Sequence, residues 1–300
     1  MSDSSAEHIP VLLTEVLHWL DPQPGQVVVD GTVGGGGHAR QIAQRLGPTG
    51  KLIGVDLDPA ALEFAEKRLA GLPVQLIQGN FADLPEILRQ LGIPAVHGIL
   101  LDLGMSSLQL ADANRGFSFS QDGPLDMRLD PSRGEPAWRL VNRLSATHLA
   151  DLFRRYGEER WSRRIAQAIV AHRRQGLITT TGQLAAIIHS CLPRRAGDRI
   201  DPATRTFQAL RIAVNQELDS LQTALRRLPD CLTPGGRFAV ISFHSLEDRL
   251  VKQAFAGDER LQVLTRRPIR PSETEISQNP RSRSAKLRVA QAKQRDGLCG

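Results

Sequence analysis

Gln26-Val-Val-Val-Asp30-Gly31-Thr-Val-Gly34-Gly-Gly-Gly-His38 decides how the rest of the chain is read. Its apolar run shows no alternation, as expected of a parallel strand buried on both faces. The run ends in a carboxylate, turns through four consecutive glycines, and passes into a helical stretch at 39–46 closed by Gly47-Pro48. Gly34, Gly36 and Ala39 satisfy GxGxxG/A. Four glycines in a row nearly produce that match unaided, and its place between a strand and a helix is what gives it weight. So many flexible residues are costly to order, which argues for a ligand that the backbone must approach closely.

Outward from there the pattern repeats. Lys51-Leu-Ile-Gly-Val-Asp56 is a second strand ending in a carboxylate, with Asp58 as the cap and Pro59 as the first residue of the next helix. Residues 74–77 predict a third strand, 85–91 a helix and 96–102 a fourth strand, an alternation that gives βαβ units and a parallel sheet. The alternation then stops. Residues 106–133 form a Gly-, Ser-, Asp- and Pro-rich stretch too long for an ordinary connection, which marks it as functional. Only helical signals follow: one helix capped by Ser145 with Leu149, Leu152, Phe153 and Tyr156 inward, one marked by Trp161, Ile165 and Ile169, and one capped by Thr181. A long helix opening at Asp201-Pro202 is expected to run through Leu228. After Pro234-Gly-Gly236 come a fifth strand at 237–243, a helix at 246–255, and two last strands at 261–265 and 286–290. The fold class expected is α/β, with one sheet built from both ends of the chain around an all-helical insertion.

The net charge of +6 is unevenly spread. Residues 1–130 carry 8 basic and 16 acidic side chains, 131–215 carry 15 arginines and 6 acids, and 216–300 carry 15 basic and 10 acidic ones. Only Lys51, Lys67, Lys252, Lys286 and Lys293 are lysines. A GC-rich genome raises arginine everywhere, but it does not concentrate it in one segment. Arginine's planar fork suits phosphates and bases, so the middle segment points to a nucleic-acid partner. Cys191, Cys231 and Cys299 fit neither a disulfide framework nor metal-ligand spacing. Residues 1–10 lack the order of a secretory leader, and no apolar run approaches a membrane span. A cytoplasmic, reduced, metal-independent protein away from membranes is the expectation.

Ligands of open parallel sheets bind outside the carboxyl ends of the strands. Asp30, Asp56 and Asp102 all fall there. Asp56, twenty residues beyond Gly36, is placed to accept both hydroxyls of an adenosine ribose, which NAD and S-adenosylmethionine share. Carboxylates at three strand ends favour a sulfonium-bearing amino acid over a pyrophosphate, and hence a methyltransferase over a dehydrogenase.

Several longer stretches then resemble one family. They are His8-Ile-Pro-Val-Leu-Leu-Thr-Glu15, Asp30-Gly-Thr-Val-Gly-Gly-Gly-Gly-His38, Leu100-Leu-Asp-Leu-Gly-Met-Ser-Ser107, the segment from Arg115 to Arg128, Thr206-Phe-Gln-Ala-Leu-Arg-Ile-Ala-Val-Asn215 and Ile241-Ser-Phe-His-Ser-Leu-Glu-Asp-Arg249. Together they resemble the bacterial MraW family of small-subunit (16S) ribosomal RNA cytosine-N4 methyltransferases. The resemblance implies a class I, Rossmann-like S-adenosylmethionine-dependent sheet from residues 1–107 and 216–300, with 108–215 as an inserted, arginine-rich, mainly helical substrate-recognition domain. It implies S-adenosylmethionine as methyl donor and a cytosine of the decoding region as acceptor. The partner implied is 16S rRNA within the small ribosomal subunit, with a homodimer left open.

Carried over by position, Gly36, Gly37 and His38 of the loop, Asp56 on the ribose, Phe81 against the adenine, Asp102 and Gln109 form the cofactor set. Where the family commonly has Ser-Ser-Pro-Gln, this chain has Ser106-Ser107-Leu108-Gln109. Cytosine N4 is a poor nucleophile, and methyl transfer to it needs in-line approach and an acceptor for the amino hydrogens. Asp102, or a backbone carbonyl near Gly104, is the expected acceptor. Phe117 or Phe119 is expected to stack on an extruded base. His244 is a candidate substrate contact, and Arg163 and Arg164, with the arginines of 266–288, are expected on phosphates. His244-Ser245 lacks the GxSxG elbow of a hydrolase. Two rivals stand beside this reading: a non-catalytic RNA-binding or ribosome-assembly factor, and an NAD-dependent dehydrogenase, for which no hydride-transfer site is evident.

Overall fold

A computed structural model describes residues 10–192 and 201–294. His8 and Cys299 lie outside the described residues. The chain runs α1 (Leu13–Leu20), β1 (Val27–Asp30), α2 (Gly37–Leu46), β2 (Lys51–Asp56), α3 (Pro59–Arg68), β3 (Val74–Gln78), α4 (Leu84–Gln90) and β4 (Val96–Asp102). It continues through α5 (Ser107–Ala111), α6 (Ala137–Arg143), α7 (Ala146–Gly157), α8 (Ser162–His172), α9 (Thr181–Cys191), α10 (Thr204–Asn215) and α11 (Glu217–Arg227). It closes with β5 (Leu232–Ser242), α12 (Ser245–Gly257), β6 (Leu261–Val263), α13 (Glu273–Gln278) and β7 (Lys286–Ala292). Two compact units result, Met1–Gly104 with Leu218–Gly300, and Met105–Glu217.

In the first unit a seven-stranded sheet has the order β3-β2-β1-β4-β5-β7-β6. Strands β1 to β5 are parallel, and β7 runs antiparallel to both β5 and β6. Successive residues of each strand go to opposite sides. Val28, Leu52, Leu100 and Ala239 enter one core with α1 and α2, whereas Val29, Ile53, Ile99 and Phe238 enter the other with α4, α11 and α12. Burial on both faces is why these strands read as unbroken apolar runs. Asp30 pairs with Gly54 of β2 and Leu100 of β4, so Asp56 and Asp102 each extend two residues beyond it at the same end of the sheet.

The second unit is mainly helical around Phe153, Ile165, Ile169, Leu184, Ile188 and Leu210, all fully buried. Ser145 caps α7 by accepting from the His148 N–H, and Thr180 forms a capping box with Gln183 at α9, one residue before the expected Thr181. The stretch at 106–133 is not a free loop. Leu125 and Met127 are fully buried, and Asn215 ties them down, donating to the Met127 carbonyl at 2.8 Å and accepting from the Leu129 N–H at 2.8 Å. Asp126 holds Arg128 in a two-point pair, and Arg115 reaches the carbonyls of Arg128 and Leu129. The two long sequence motifs ending at Arg128 and Asn215 thus build one structural joint.

Two expectations are corrected. The long helix from 201 to 228 is two helices, because Gln216 at the end of α10 adopts a left-handed φ of 52°. Pro234-Gly-Gly236 does not precede β5 but lies inside it. The register jumps there, Val96 pairing with Leu232 and Gly98 with Arg237, so the extra residues form a bulge.

Candidate active site

Each carboxylate at the strand ends is held differently. Asp30 is 1% exposed; its Oδ1 accepts the Thr32 N–H at 3.2 Å, and its Oδ2 is buried without a hydrogen-bond partner. Burial pushes its carboxyl up to about 7, the Thr32 N–H opposes the shift, and the charges of Asp102 and Asp56 reinforce it. Asp56 accepts the Gly34 N–H at 2.8 Å on Oδ2 and the Asp58 N–H at 2.9 Å on Oδ1. Burial raises it to about 6 against those bonds. Asp58 caps α3, accepting the Ala60 N–H. Asp102 accepts the Gly104 N–H at 3.1 Å on Oδ1, while its own N–H donates to Thr32 Oγ1. Thr32 therefore ties the carboxylate at the end of β1 to the backbone at the end of β4.

The glycine loop joins this set from below. Gly34 donates to Asp56, and Gly36, the residue before α2, has a φ of 76° that a side chain rarely tolerates. A Cβ on Gly37 would stand 2.8 Å from Pro10, so the incoming chain lies directly on the loop. Next to it His38 is buried, its Nε2 2.9 Å from the Val11 carbonyl and its Nδ1 3.6 Å from Asp102 Oδ2. Phe81 follows β3 in a short turn that Asn80 caps, half-buried against the core beside α4. Asp30, Asp56, Asp102, the loop and Phe81 thus all sit at the carboxyl edge of the first unit.

The other predicted residues have structural duties of their own. Gln109, in the second unit, is buried and closes the capping box of α5, accepting the Ser106 N–H at 3.0 Å while Ser106 Oγ accepts its own N–H. Leu108 is 43% exposed, so the departure from proline leaves the cap intact. Phe117 is buried in the second unit's core with the Arg115 guanidinium over its ring at 5.5 Å. Phe119 is half-buried, edge-on to Phe207 at 4.7 Å. Arg163 and Arg164 are exposed on α8.

His244 caps α12. Its Nδ1 accepts the Glu247 N–H at 3.4 Å, and the Glu247 carboxylate accepts from the Phe243 and His244 N–H groups. Its Nε2 lies 3.1 Å from Glu247 Oε1 but out of hydrogen-bond alignment. Among the tail arginines, Arg288 is not available to phosphate. It is buried and donates to Asp248 at 2.7 Å, which with Lys286 holds the Asp248 carboxyl below the ordinary range despite its burial.

Sequence reading missed three pairs in the second unit. Arg139 lies over Trp138 at 5.3 Å, Arg155 over Tyr156 at 5.2 Å and Arg160 over Trp161 at 5.4 Å. Each is a neighbouring Arg–aromatic couple in the sequence, a signal available to anyone looking for flat cationic surfaces.

The strand order, the antiparallel β7 and the carboxylates beyond a glycine loop define a class I, Rossmann-like methyltransferase fold carrying additional helices. The family model described as the MraW methylase family matches residues 5–293. The chain belongs to that family and is an S-adenosylmethionine-dependent methyltransferase. It is 52% identical to "Ribosomal RNA small subunit methyltransferase H" of Syntrophotalea carbinolica, over 94% of this chain and 97% of that protein. The same-named proteins of Geobacter sulfurreducens, at 50% over 95% and 98%, and of Deinococcus radiodurans, at 52% over 97% and 91%, are similar in the same way. Among the described residues no helix is long and apolar enough to cross a membrane.

Proposed function

We propose that this chain methylates small-subunit ribosomal RNA in the cytoplasm, transferring a methyl group from S-adenosylmethionine to the exocyclic N4 of a cytosine in the decoding region. The observation that carries this reading is similarity at about half identity over nearly the full length of small-subunit rRNA methyltransferases. The unit from both chain ends is the methyltransferase domain, and the helical unit recognises the RNA. Its exposed Arg163 and Arg164 and its three Arg–aromatic couples suit phosphates and unstacked bases.

The cofactor fits the residues present. Asp30 Oδ2, a buried acceptor with no hydrogen-bond partner, sits among three carboxylates that repel one another, a setting that favours a cation. Asp56 retains lone pairs for ribose hydroxyls beyond the N–H groups it accepts. Gly36 and Gly37 give backbone access, and Phe81 offers a face to the adenine. The cofactor supplies an electrophilic methyl group when bound. Asp102 accepts hydrogens of the attacking amine, which lets its nitrogen pyramidalise. The family resemblance assigns Gln109 to the cofactor, and of the two loop phenylalanines offered for stacking on the base, half-buried Phe119 is the more accessible and Phe117 lies in the core.

Small ribosomal subunits from cells lacking the protein, incubated with it and methyl-labelled cofactor, provide the test. Label recovered as N4-methylcytosine supports the proposal. Cofactor binding without transfer rejects this substrate, and absence of cofactor binding returns the chain to the assembly-factor reading.

A further inference from the structure

The mechanism above leaves a proton on Asp102, and the structure supplies a place for it. A carbonyl oxygen can only accept, so the 2.9 Å contact with Val11 fixes the ring proton of His38 on Nε2. The Nδ1 lone pair then faces Asp102 Oδ2 at 3.6 Å. That separation is about 0.8 Å beyond a charge-assisted hydrogen bond, and a small turn of the carboxyl closes it. The Asp102 side chain is 19% exposed and that of His38 7%, so Asp102 stands between the open edge of the sheet and a buried base.

We propose that His38 receives, through Asp102, the proton that the substrate amine loses during methyl transfer. The inference rests on the proposed function. As the amine nitrogen takes the methyl group, the carbon–sulfur bond breaks and its electron pair stays on sulfur. The nitrogen becomes cationic, one N–H proton passes to Asp102, and Asp102 passes it to His38 Nδ1. The carboxylate is thereby regenerated, the imidazole becomes imidazolium, and that proton returns to solvent after product leaves.

The surroundings favour this direction. Asp102 of β4 faces the ring, and Asp30 of β1 and Asp56 of β2 complete the carboxylate cluster. Among the described residues, the segment before α1, Pro10 to Leu12, contributes a backbone carbonyl and no charge. On α2 itself Arg45 is turned to the Leu17 carbonyl, and Arg68 of α3 is engaged by the Gly35 carbonyl. Arg40, also on α2, is exposed. An imidazolium formed here is compensated by anions, whereas a proton left on Asp102 removes the acceptor needed for the next amine. His38 acts through Asp102, so its effect is on proton transfer rather than on contact with substrate.

The test compares wild-type protein with His38→Gln, whose amide can still donate to Val11 but cannot take a proton. Single-turnover methyl transfer to small subunits is followed from pH 5.5 to 8.5, with cofactor affinity measured by calorimetry. The rate of each protein is read at saturating cofactor, so that any loss of affinity on changing a residue of the cofactor set does not enter the comparison. The transfer rate of His38→Gln should fall about 100-fold, the lower end of general-base effects, and its pH profile should differ from that of wild type. An unchanged rate and pH profile overturns the relay. If wild-type protein transfers nothing to subunits, the proposed function fails separately, and 15N shifts of His38 in the full chain decide the relay. A proton on Nε2, with Nδ1 protonating in a manner altered by Asp102→Asn, supports it. A neutral ring protonated on Nδ1 overturns it.

Discussion

Replacing Asp30 by Asn removes an ionisable group that the first unit buries almost completely, and its consequence can be worked out with a sign. The carboxyl ionises near 7 in the folded protein because burial disfavours the charge, and near 4 in the unfolded chain. Between those values the folded state binds the extra proton, so stability falls as pH rises through the window and levels off above 7. A shift of that size amounts to about 4 kcal/mol in full, of which about 3 kcal/mol falls between pH 5 and pH 8. Asn keeps the acceptor for the Thr32 N–H but never ionises. Comparing two pH values cancels the fixed cost of burying its amide. Urea unfolding of the cofactor-free protein should therefore show wild type losing about 1 M of midpoint relative to Asp30→Asn between pH 5 and pH 8. The same variant should weaken S-adenosylmethionine about tenfold or more while weakening the demethylated product less, since that product keeps its amino-acid charges but lacks the sulfonium. Parallel pH dependences for the two proteins would refute the reasoning, as would equal losses for both ligands.

The remaining expectations are simpler. Asp56 ionises near 6, so cofactor affinity measured by calorimetry should rise between pH 5 and 7 as its carboxylate becomes a full acceptor, and Asp56→Ala should flatten that rise. Asp248→Asn strands buried Arg288 and should cost about 3–5 kcal/mol in chemical denaturation. In wild type the Asp248 carboxyl is held below its ordinary range, so its contribution is complete above that range and lost as pH falls through the lowered value. Arg163→Gln with Arg164→Gln should weaken RNA binding, and should reduce the salt dependence of log affinity by about 0.7 for each single-strand phosphate contact removed. An unchanged salt slope would take these two residues out of the interface.

How much of this was legible in the sequence depended on whether the cause lay in local pattern. β1, β2 and β4 declared themselves because burial on both faces requires unbroken apolar runs, and each run stopped at a carboxylate where the chain leaves the sheet. The break at Gln216 was hidden because Val214, Leu218 and Leu221 keep helical spacing across it, and a left-handed glutamine carries no glycine signal. The bulge in β5 was misplaced for the opposite reason, since Pro234-Gly-Gly236 is turn chemistry used inside a strand. Length and composition marked 106–133 as a loop, yet Leu125 and Met127 are core, fixed by an asparagine nearly ninety residues away. Side-chain to backbone bonds over such distances leave no periodicity to read.

The same distinction divides the site. Asp30, Asp56 and Asp102 could be found because a regular sheet places every strand end on one edge, so position in the pattern implies position in space. His38 could be found as a loop residue, but its orientation could not, because the group that fixes its tautomer is the carbonyl of Val11 and any residue there would supply one. What makes His38 a base rather than a cap is therefore a property of the backbone path over the glycine loop. Pro10 lying against Gly37 holds that path. A side chain at position 37 would lift the segment, move the Val11 carbonyl away from Nε2, and free the ring to turn its proton toward Asp102. The glycine run thus serves the proton chemistry as well as the cofactor, by letting the chain that orients His38 come close enough to reach it.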